Sequence, residues 1–597
     1  MTTRPFAVRF FLLPFLWLAA LTAARAQAPD PWMGEGDYRS FHLTGDAAKD
    51  GGMSVETFDT PAGKREGFRF TVRAVPERPL AIQALAANDH PVAAGDVLFA
   101  HFYMRVPKSD QESGEGKIQF ILEDGKTYDK SVQLAARTVG EWKEFNVPFA
   151  AKGDYQPGSA HIIFRLGYYR QTVEIAGFEV VNYHATRKVS SLPITLPDLS
   201  YAGMEPNAAW RGPAAERIRR LRMAPLTVEV LDAQGRPVSG AAVEIAQTRH
   251  AFWFGTAVSA QRLVDDATFS DAVRANFNLV TLENDLKWGA WDRNKDLPLR
   301  AARWCQEHDL ALRGHNMVWP GWRHLPPSLK EMQSRPDDLR RAVLHHVEEI
   351  GTALAPYTAI WDVVNEPYDN HDLIDLLGPN LLGDIFRQAK AVDPRSKLYI
   401  NDYGIVTGGG LDRPHQENYA KHIRELLAQH APVEGIGIQG HFGQEFTPPE
   451  KIFNILDDLA RFNLPVQMTE FTAQADDREM DAKVLRDVLT VFFSHPSVDG
   501  FIFWGFYEGR GFEHKATLLD ADGQLTPAGK VYRDLVYHQW WTHANTATGQ
   551  DGKSRVDGFR GRYEVTVSHG GKTFKKPAEL TAGGSSVTVR LTDGAAQ

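Results

Sequence analysis

Thiol chemistry is almost missing from this chain: its 597 residues include a single cysteine, Cys305. No disulfide can form within it, and cysteine-built zinc sites and iron–sulfur clusters are excluded. Cys305 sits in the helical-looking run Ala301-Ala302-Arg303-Trp304-Cys305-Gln306 and is expected to be a buried, inert thiol. A basic excess is missing too. Lys and Arg number 66 against 75 Asp and Glu, a net charge of −9. No region can neutralise a phosphate backbone, so nucleic acid is not an expected partner. After the N-terminus no stretch reaches 18 apolar residues, which leaves no expected membrane span.

What is present describes a water-soluble globular chain, with 43% hydrophobic and 24% charged residues. At about 150 residues per domain the length suggests about four domains, although one α/β barrel can take about 250. Fourteen Trp residues are a generous supply of flat faces. Most are expected in cores. Arg4 and Arg9 precede an apolar run from Phe10 to Leu21, and Ala24-Arg25-Ala26 supplies a small-x-small cleavage pattern. Residues 1–26 therefore read as a cleaved secretory signal. An exported chain without disulfides fits a bacterial periplasm or medium.

Short alternating segments between 30 and 185, such as 68–72, 97–104, 117–121 and 161–166, predict an all-β sandwich of jelly-roll type. In it Trp142 is expected in the core, and Tyr168 and Tyr169 are candidates for stacking on sugars. The stretch 186–225 reads as a linker, its basic patch Ala214–Arg222 as a solvated connector. Strands in 226–249 are too few to stand alone. They are expected to join strands in 541–597 as one small split β-module. Between them, 250–540 alternates strand and helix: strands at 251–258, 279–284, 311–319, 359–366, 397–403, 435–442, 465–471 and 498–506, with helices such as 298–309, 336–354, 414–430, 448–462 and 477–493. That is the pattern of an α/β, (β/α)8 barrel.

Active sites of such barrels lie at the C-terminal strand ends. Here those ends read Glu283-Asn284 with Lys287-Trp288, His315-Asn316, Asn365-Glu366, Asn401-Asp402, Gln439-Gly440-His441, Thr469-Glu470 and Trp504-Gly505. Glu366 and Glu470 close strands four and seven, on opposite sides of the barrel. Paired carboxylates about 5 Å apart are the apparatus of retaining glycoside hydrolysis, one attacking the anomeric carbon and the other shuttling a proton. Their surroundings must differ, because the acid needs a raised pKa and the nucleophile a depressed one. His441 can donate to a carboxylate, Lys287 to sugar hydroxyls, and Trp319 and Trp504 can offer flat faces.

Trp361-Asp362-Val363-Val364-Asn365-Glu366-Pro367, with Arg313-Gly314-His315-Asn316 upstream and Thr469-Glu470 downstream, resembles glycoside hydrolase family 10, the endo-β-1,4-xylanases. The resemblance spans about 250–540. It implies Glu366 as acid/base and Glu470 as nucleophile, with Asn365 on the sugar 2-hydroxyl. It also implies that Glu283, Asn284, Lys287, His315, Trp319 and Trp504 shape the glycone subsites, that Gln439 contacts the acid/base, and that His441 contacts the nucleophile. The implied substrate is plant cell-wall xylan, cut by a secreted, monomeric enzyme with no metal or other cofactor. Another β-glycan, a decorated xylan or a non-catalytic carbohydrate-binding role are the alternatives. The flanks resemble multidomain members that carry an N-terminal carbohydrate-binding sandwich.

Two departures stand out. Thr472 occupies the position where the family usually has an acidic residue, which removes a charge that would orient His441. The loop Tyr507-Glu508-Gly509-Arg510-Gly511-Phe512 lacks the family's common further Trp. Two segments invite misreading. His345-His346 with Glu348-Glu349 is expected to be a solvated helix face rather than a metal site. Thr407-Gly408-Gly409-Gly410 lacks the Lys and Ser/Thr of a phosphate loop and is expected to be a flexible rim loop.

Overall fold

The computed structural model describes residues 29–592, apart from 46, 110–115, 139, 141, 196–199, 411, 443–445, 474, 476 and 511–517. The signal segment 1–26 and the loop residues Gly511 and Phe512 lie outside the described residues. Two compact units divide the chain, Met1–Asp198 and Leu199–Gln597.

In the first unit two antiparallel sheets face each other. One has the order Gly51–Thr60, Gly63–Val72, Gln171–Asn182, Val97–Ser109, Lys143–Ala150, with Asp30–Met33 added against Gln171–Asn182. The other runs His42–Gly45, Ile82–Ala87, Ala160–Arg165, Gly116–Asp124, Lys130–Thr138. Period-two alternation turns Ala100, Phe102 and Met104 inward. They meet Phe120, Phe164 and Phe178, whose rings pack edge to face, Phe164 on Phe178 at 5.0 Å. Trp142 is outside this core: half-buried, it packs against Phe58, with the Arg105 guanidinium 4.5 Å from its ring centroid. Tyr168 is not a free stacking platform, because it is buried and Lys117 lies over its ring.

The second unit is built on a closed barrel of eight parallel strands: Trp253–Val258, Leu279–Leu282, Ala311–Val318, Thr358–Asn365, Lys397–Asp402, Gly435–Phe442, Val466–Ala473 and Val498–Phe503. Each falls inside or within two residues of its predicted segment. Buried on both faces, these strands read as nearly unbroken apolar runs. Cys305 is buried in the helix Asp296–Glu307, where burial pushes its thiol up to about 12.

Met223–Asp232 runs parallel to Ser585–Leu591 and antiparallel to Lys553–Phe559. Ala242–His250 lies between His543–Ala547 and Gly561–His569, with Lys572–Leu580 beyond. Leu226, Val228, Val230, Val243, Ile245, Val565 and Val567 fill the core between these two sheets.

The stretch 186–225 is not a linker throughout. Its helix Arg211–Arg222 packs Ala214 and Ile218, four residues apart on one face, into the barrel's core cluster. Arg222 is not solvated: it donates to the carbonyls of Phe493, His495 and Val498 at 2.7–2.8 Å. Arg211 makes a bidentate bond to Asp487, which also accepts from the Tyr201 hydroxyl. Two apolar positions one turn apart, together with the anchored Arg211 and Arg222, dock a helix rich in basic residues.

Candidate active site

Strand four carries Trp361 outward and Asp362 inward, and hands the chain to Glu366 just past its end. Glu366 adopts a left-handed backbone (φ 51°), and its N–H donates to the Asn401 carbonyl at 2.8 Å. Such a conformation is costly for a non-glycine residue and is concentrated at functional sites. Gln439 Nε2 donates to Glu366 Oε1 at 2.8 Å, and Asn370 Nδ2 donates to the Glu366 carbonyl at 3.1 Å. Burial holds the Glu366 carboxyl above the ordinary carboxylate range. The Gln439 hydrogen bond and His315 oppose that rise, while the charges of Glu470 and Asp402 reinforce it.

Glu470 stands on strand seven, 4% exposed. Its two oxygens have separate partners: Asn401 Nδ2 donates to Oε1 at 3.0 Å, and His441 Nε2 lies 3.2 Å from Oε2. Asn401 is the hub of the floor, since the same amide also donates to Asn365 Oδ1 at 2.9 Å while its oxygen accepts from the Thr469 hydroxyl. Asn365 keeps a buried amide nitrogen without a protein partner, a donor available to a sugar hydroxyl. In sequence Asn401 belongs to the Asn401-Asp402 motif, with no role assigned to it by residue type alone. Its signal was its place at the end of strand five.

Beneath these groups lies a buried ionic triad. Asp362 is bound by Arg313 and by His315 Nδ1 at 2.9 Å, all three side chains at most 2% exposed. Burial alone would raise the Asp362 carboxyl, but Arg313 and His315 hold it below the ordinary range. His315 meets the Trp504 ring edge-on at 5.1 Å, so the triad fixes the ring that floors the cleft.

On the strand-two side, Lys287 Nζ donates to Asn284 Oδ1 at 2.6 Å, and Asn284 Nδ2 to Glu283 Oε1 at 2.7 Å. Burial lowers the Lys287 ammonium, against the pull of Glu470, Glu283 and Glu366. Trp319 does not offer two bare faces: His324 stacks on it at 3.4 Å and 8°, and Lys287 lies 5.3 Å from its ring centroid. Its indole N–H is buried without a protein partner, so the edge is the polar contact it can give a ligand. Trp504 is 5% exposed.

His441 and Thr472 face each other across strands six and seven, paired by register. His441 Nδ1 is 3.1 Å from Thr472 Oγ1. In the loop after strand eight, Arg510 pairs with Asp266 at 2.6 Å and lies over Tyr507. A guanidinium–aromatic contact thus stands near the position where a further Trp was missing.

Residues 345–349 are not simply a solvated face. His345 is exposed, but His346 is buried and stacked on Trp288 at 3.8 Å and 6°. Burial pushes it down to about 3. Its ring approaches Asp292 and Glu349 closely enough for the three to hold an ion, although the Lys295 ammonium already pairs with Glu349. The glycines 408–410 form a short 3-10 turn whose Gly410 is buried.

Residues 244–534 match the family model described as Glycosyl hydrolase family 10. Among curated proteins, the chain is 28% identical over 369 residues to the anti-sigma-I factor RsgI6 of Acetivibrio thermocellus, covering 61% of this chain and 47% of that protein. It is 30% identical over 335 residues to endo-1,4-beta-xylanase 1 of Arabidopsis thaliana, covering 55% of this chain and 35% of that one. The chain therefore spans less than half the length of either relative. A solved structure, native xylanase 10B from Thermotoga maritima, is 23% identical at a TM-score of 0.44, over 48% of this chain and 96% of that one.

Proposed function

From the match of residues 244–534 to the glycosyl hydrolase family 10 model, we propose that the protein is a retaining endo-β-1,4-xylanase. The observation that carries this reading is the unequal environment of two converging glutamates. Burial raises the Glu366 carboxyl and favours its protonated form, whereas Glu470 accepts from Asn401 and has His441 beside its other oxygen.

In the first step Glu470 attacks the anomeric carbon. The bond to the glycosidic oxygen breaks as Glu366 gives that oxygen its proton, and the leaving chain departs as an alcohol. A glycosyl ester on Glu470 results. With its proton gone, Glu366 is the base that takes one from a water; the resulting hydroxyl attacks the same carbon and frees Glu470. Two inversions give net retention. Asn365 supplies a donor for the sugar at the reacting centre, and Lys287, the Trp319 edge and Trp504 line its path. The polymer is proposed to be xylan, reached outside the cytoplasm after removal of residues 1–26. N-terminal sequencing of the mature protein tests that removal.

Purified protein assayed on xylan, mixed-linkage β-glucan and cellulose tests the substrate. Release of reducing ends chiefly from xylan supports the reading. A preference for mixed-linkage glucan would move the substrate but keep the mechanism, and inactivity on all three would refute the enzymatic reading.

A further inference from the structure

We propose that Thr472 is a positioning residue whose hydroxyl holds His441 as a neutral imidazole with its proton on Nε2, facing the nucleophile. The proposal rests on Glu470 being that nucleophile. Strand periodicity is two, so Glu470 and Thr472 share the face of strand seven that lines the barrel, while Phe471 points the other way. Register sets His441 opposite Thr472, and the imidazole bridges the two: Nδ1 to Oγ1 at 3.1 Å, Nε2 to Glu470 Oε2 at 3.2 Å.

Chemistry then selects the proton's place. A carboxylate oxygen only accepts, so the nitrogen facing Glu470 must carry a hydrogen, or two lone pairs oppose each other. In the neutral ring that leaves Nδ1 as the acceptor. A threonine hydroxyl rotates to donate to it, a task no carboxylate can perform while ionised. An aspartate at 472 would accept from Nδ1 instead. With acceptors on both sides the ring would take a second proton and become a cation. The described charged groups near His441 are few. Glu470 faces Nε2; Lys287, attracted to Glu470, lies beyond it; and Trp504 on strand eight presents only its ring, 6.5 Å away. The His441 side chain is 37% exposed, so these contacts compete with solvent for the ring. In this site the nucleophile is held by a neutral donor.

The test uses the full-length protein with histidine-selective 15N labelling, the His441 signal being assigned by its loss in His441→Asn. At pH 7 the expected spectrum shows a neutral ring protonated at Nε2. Thr472→Val should lower kcat by about 10-fold, the worth of one hydrogen bond. Thr472→Ser should restore most of it. Thr472→Asp should convert His441 to the cation and move the acidic limb of the kcat/KM profile to lower pH, because a cation stabilises the ionised nucleophile. An Nδ1-protonated ring or an imidazolium in the unmodified protein at pH 7 would overturn the proposal. So would a Val variant with unchanged kcat and pH profile. Inactivity of the unmodified protein on every β-glycan would instead refute the functional reading, and the spectrum would still decide the tautomer.

Discussion

Gln439→Leu should make the acid/base a weaker acid. Gln439 Nε2 donates to Glu366 Oε1 at 2.8 Å, and that bond favours the ionised carboxylate. It is the largest influence opposing the burial that raises the Glu366 pKa. Leucine keeps the bulk and removes the donor, so the folded-state pKa must rise. A hydrogen bond to a charged group contributes about 1.5–3 kcal/mol, and one pKa unit is about 1.4 kcal/mol, which brackets a rise of about 1–2 units. Glu366 is only partly buried, and water replaces some of the lost donation; about 1 unit is the expected outcome. As the proposed acid, Glu366 has to be protonated to release the leaving group, so the basic limb of kcat/KM is expected to report its pKa in the free enzyme. The assay is kcat/KM on a soluble xylo-oligosaccharide from pH 4 to 10, with the melting temperature of the variant checked alongside. A basic limb moved upward by about one unit supports the assignment. A limb that stays or moves down in a folded variant would show that Gln439 does not tune the acid.

Glu470→Ala and Glu366→Ala should each lower turnover on xylan by several orders of magnitude; near-full activity at either would remove that residue from the chemistry. Arg222→Met, which strips the donors from three buried carbonyls, should cost about 3 kcal/mol in urea unfolding, and a change under about 0.5 kcal/mol would show that helix Arg211–Arg222 is not held as described. Asp362→Ala should cost about 3–5 kcal/mol by leaving Arg313 buried without its counter-charge. Because the folded Asp362 carboxyl lies below its unfolded value near 3.9, its contribution is complete above about pH 4 and is lost as pH falls further. Asp362→Asn should therefore flatten the acid side of the stability profile, and an unchanged slope would contradict that linkage.

The barrel strands were legible because burial on both faces forces continuous apolar runs, and Phe501-Ile502-Phe503 shows that plainly. Glu366 and Glu470 were legible because a carboxylate at the end of such a run has no packing reason to be there. Other features depended on contacts between distant segments. His346 lies on a helix whose pattern looks amphipathic, and only Trp288, from the segment after strand two, decides that it is buried. The helix Arg211–Arg222 reads as basic by composition, yet Arg222 is fixed by carbonyls some 270 positions away. Nothing in the order of residues shows His324 folding back over the face of Trp319. Asn401 makes three side-chain hydrogen bonds that join strands four, five and seven, a role fixed by barrel closure and not by its neighbours in sequence.

Double displacement by Glu470 and Glu366, as proposed, fixes which anomer is released first. The most direct measurement is proton NMR of the first products released from xylan, recorded before mutarotation equilibrates the anomers. With net retention, the β-anomer is expected to accumulate first. Initial release of the α-anomer would contradict it, because a single inversion cannot pass through a covalent ester on Glu470.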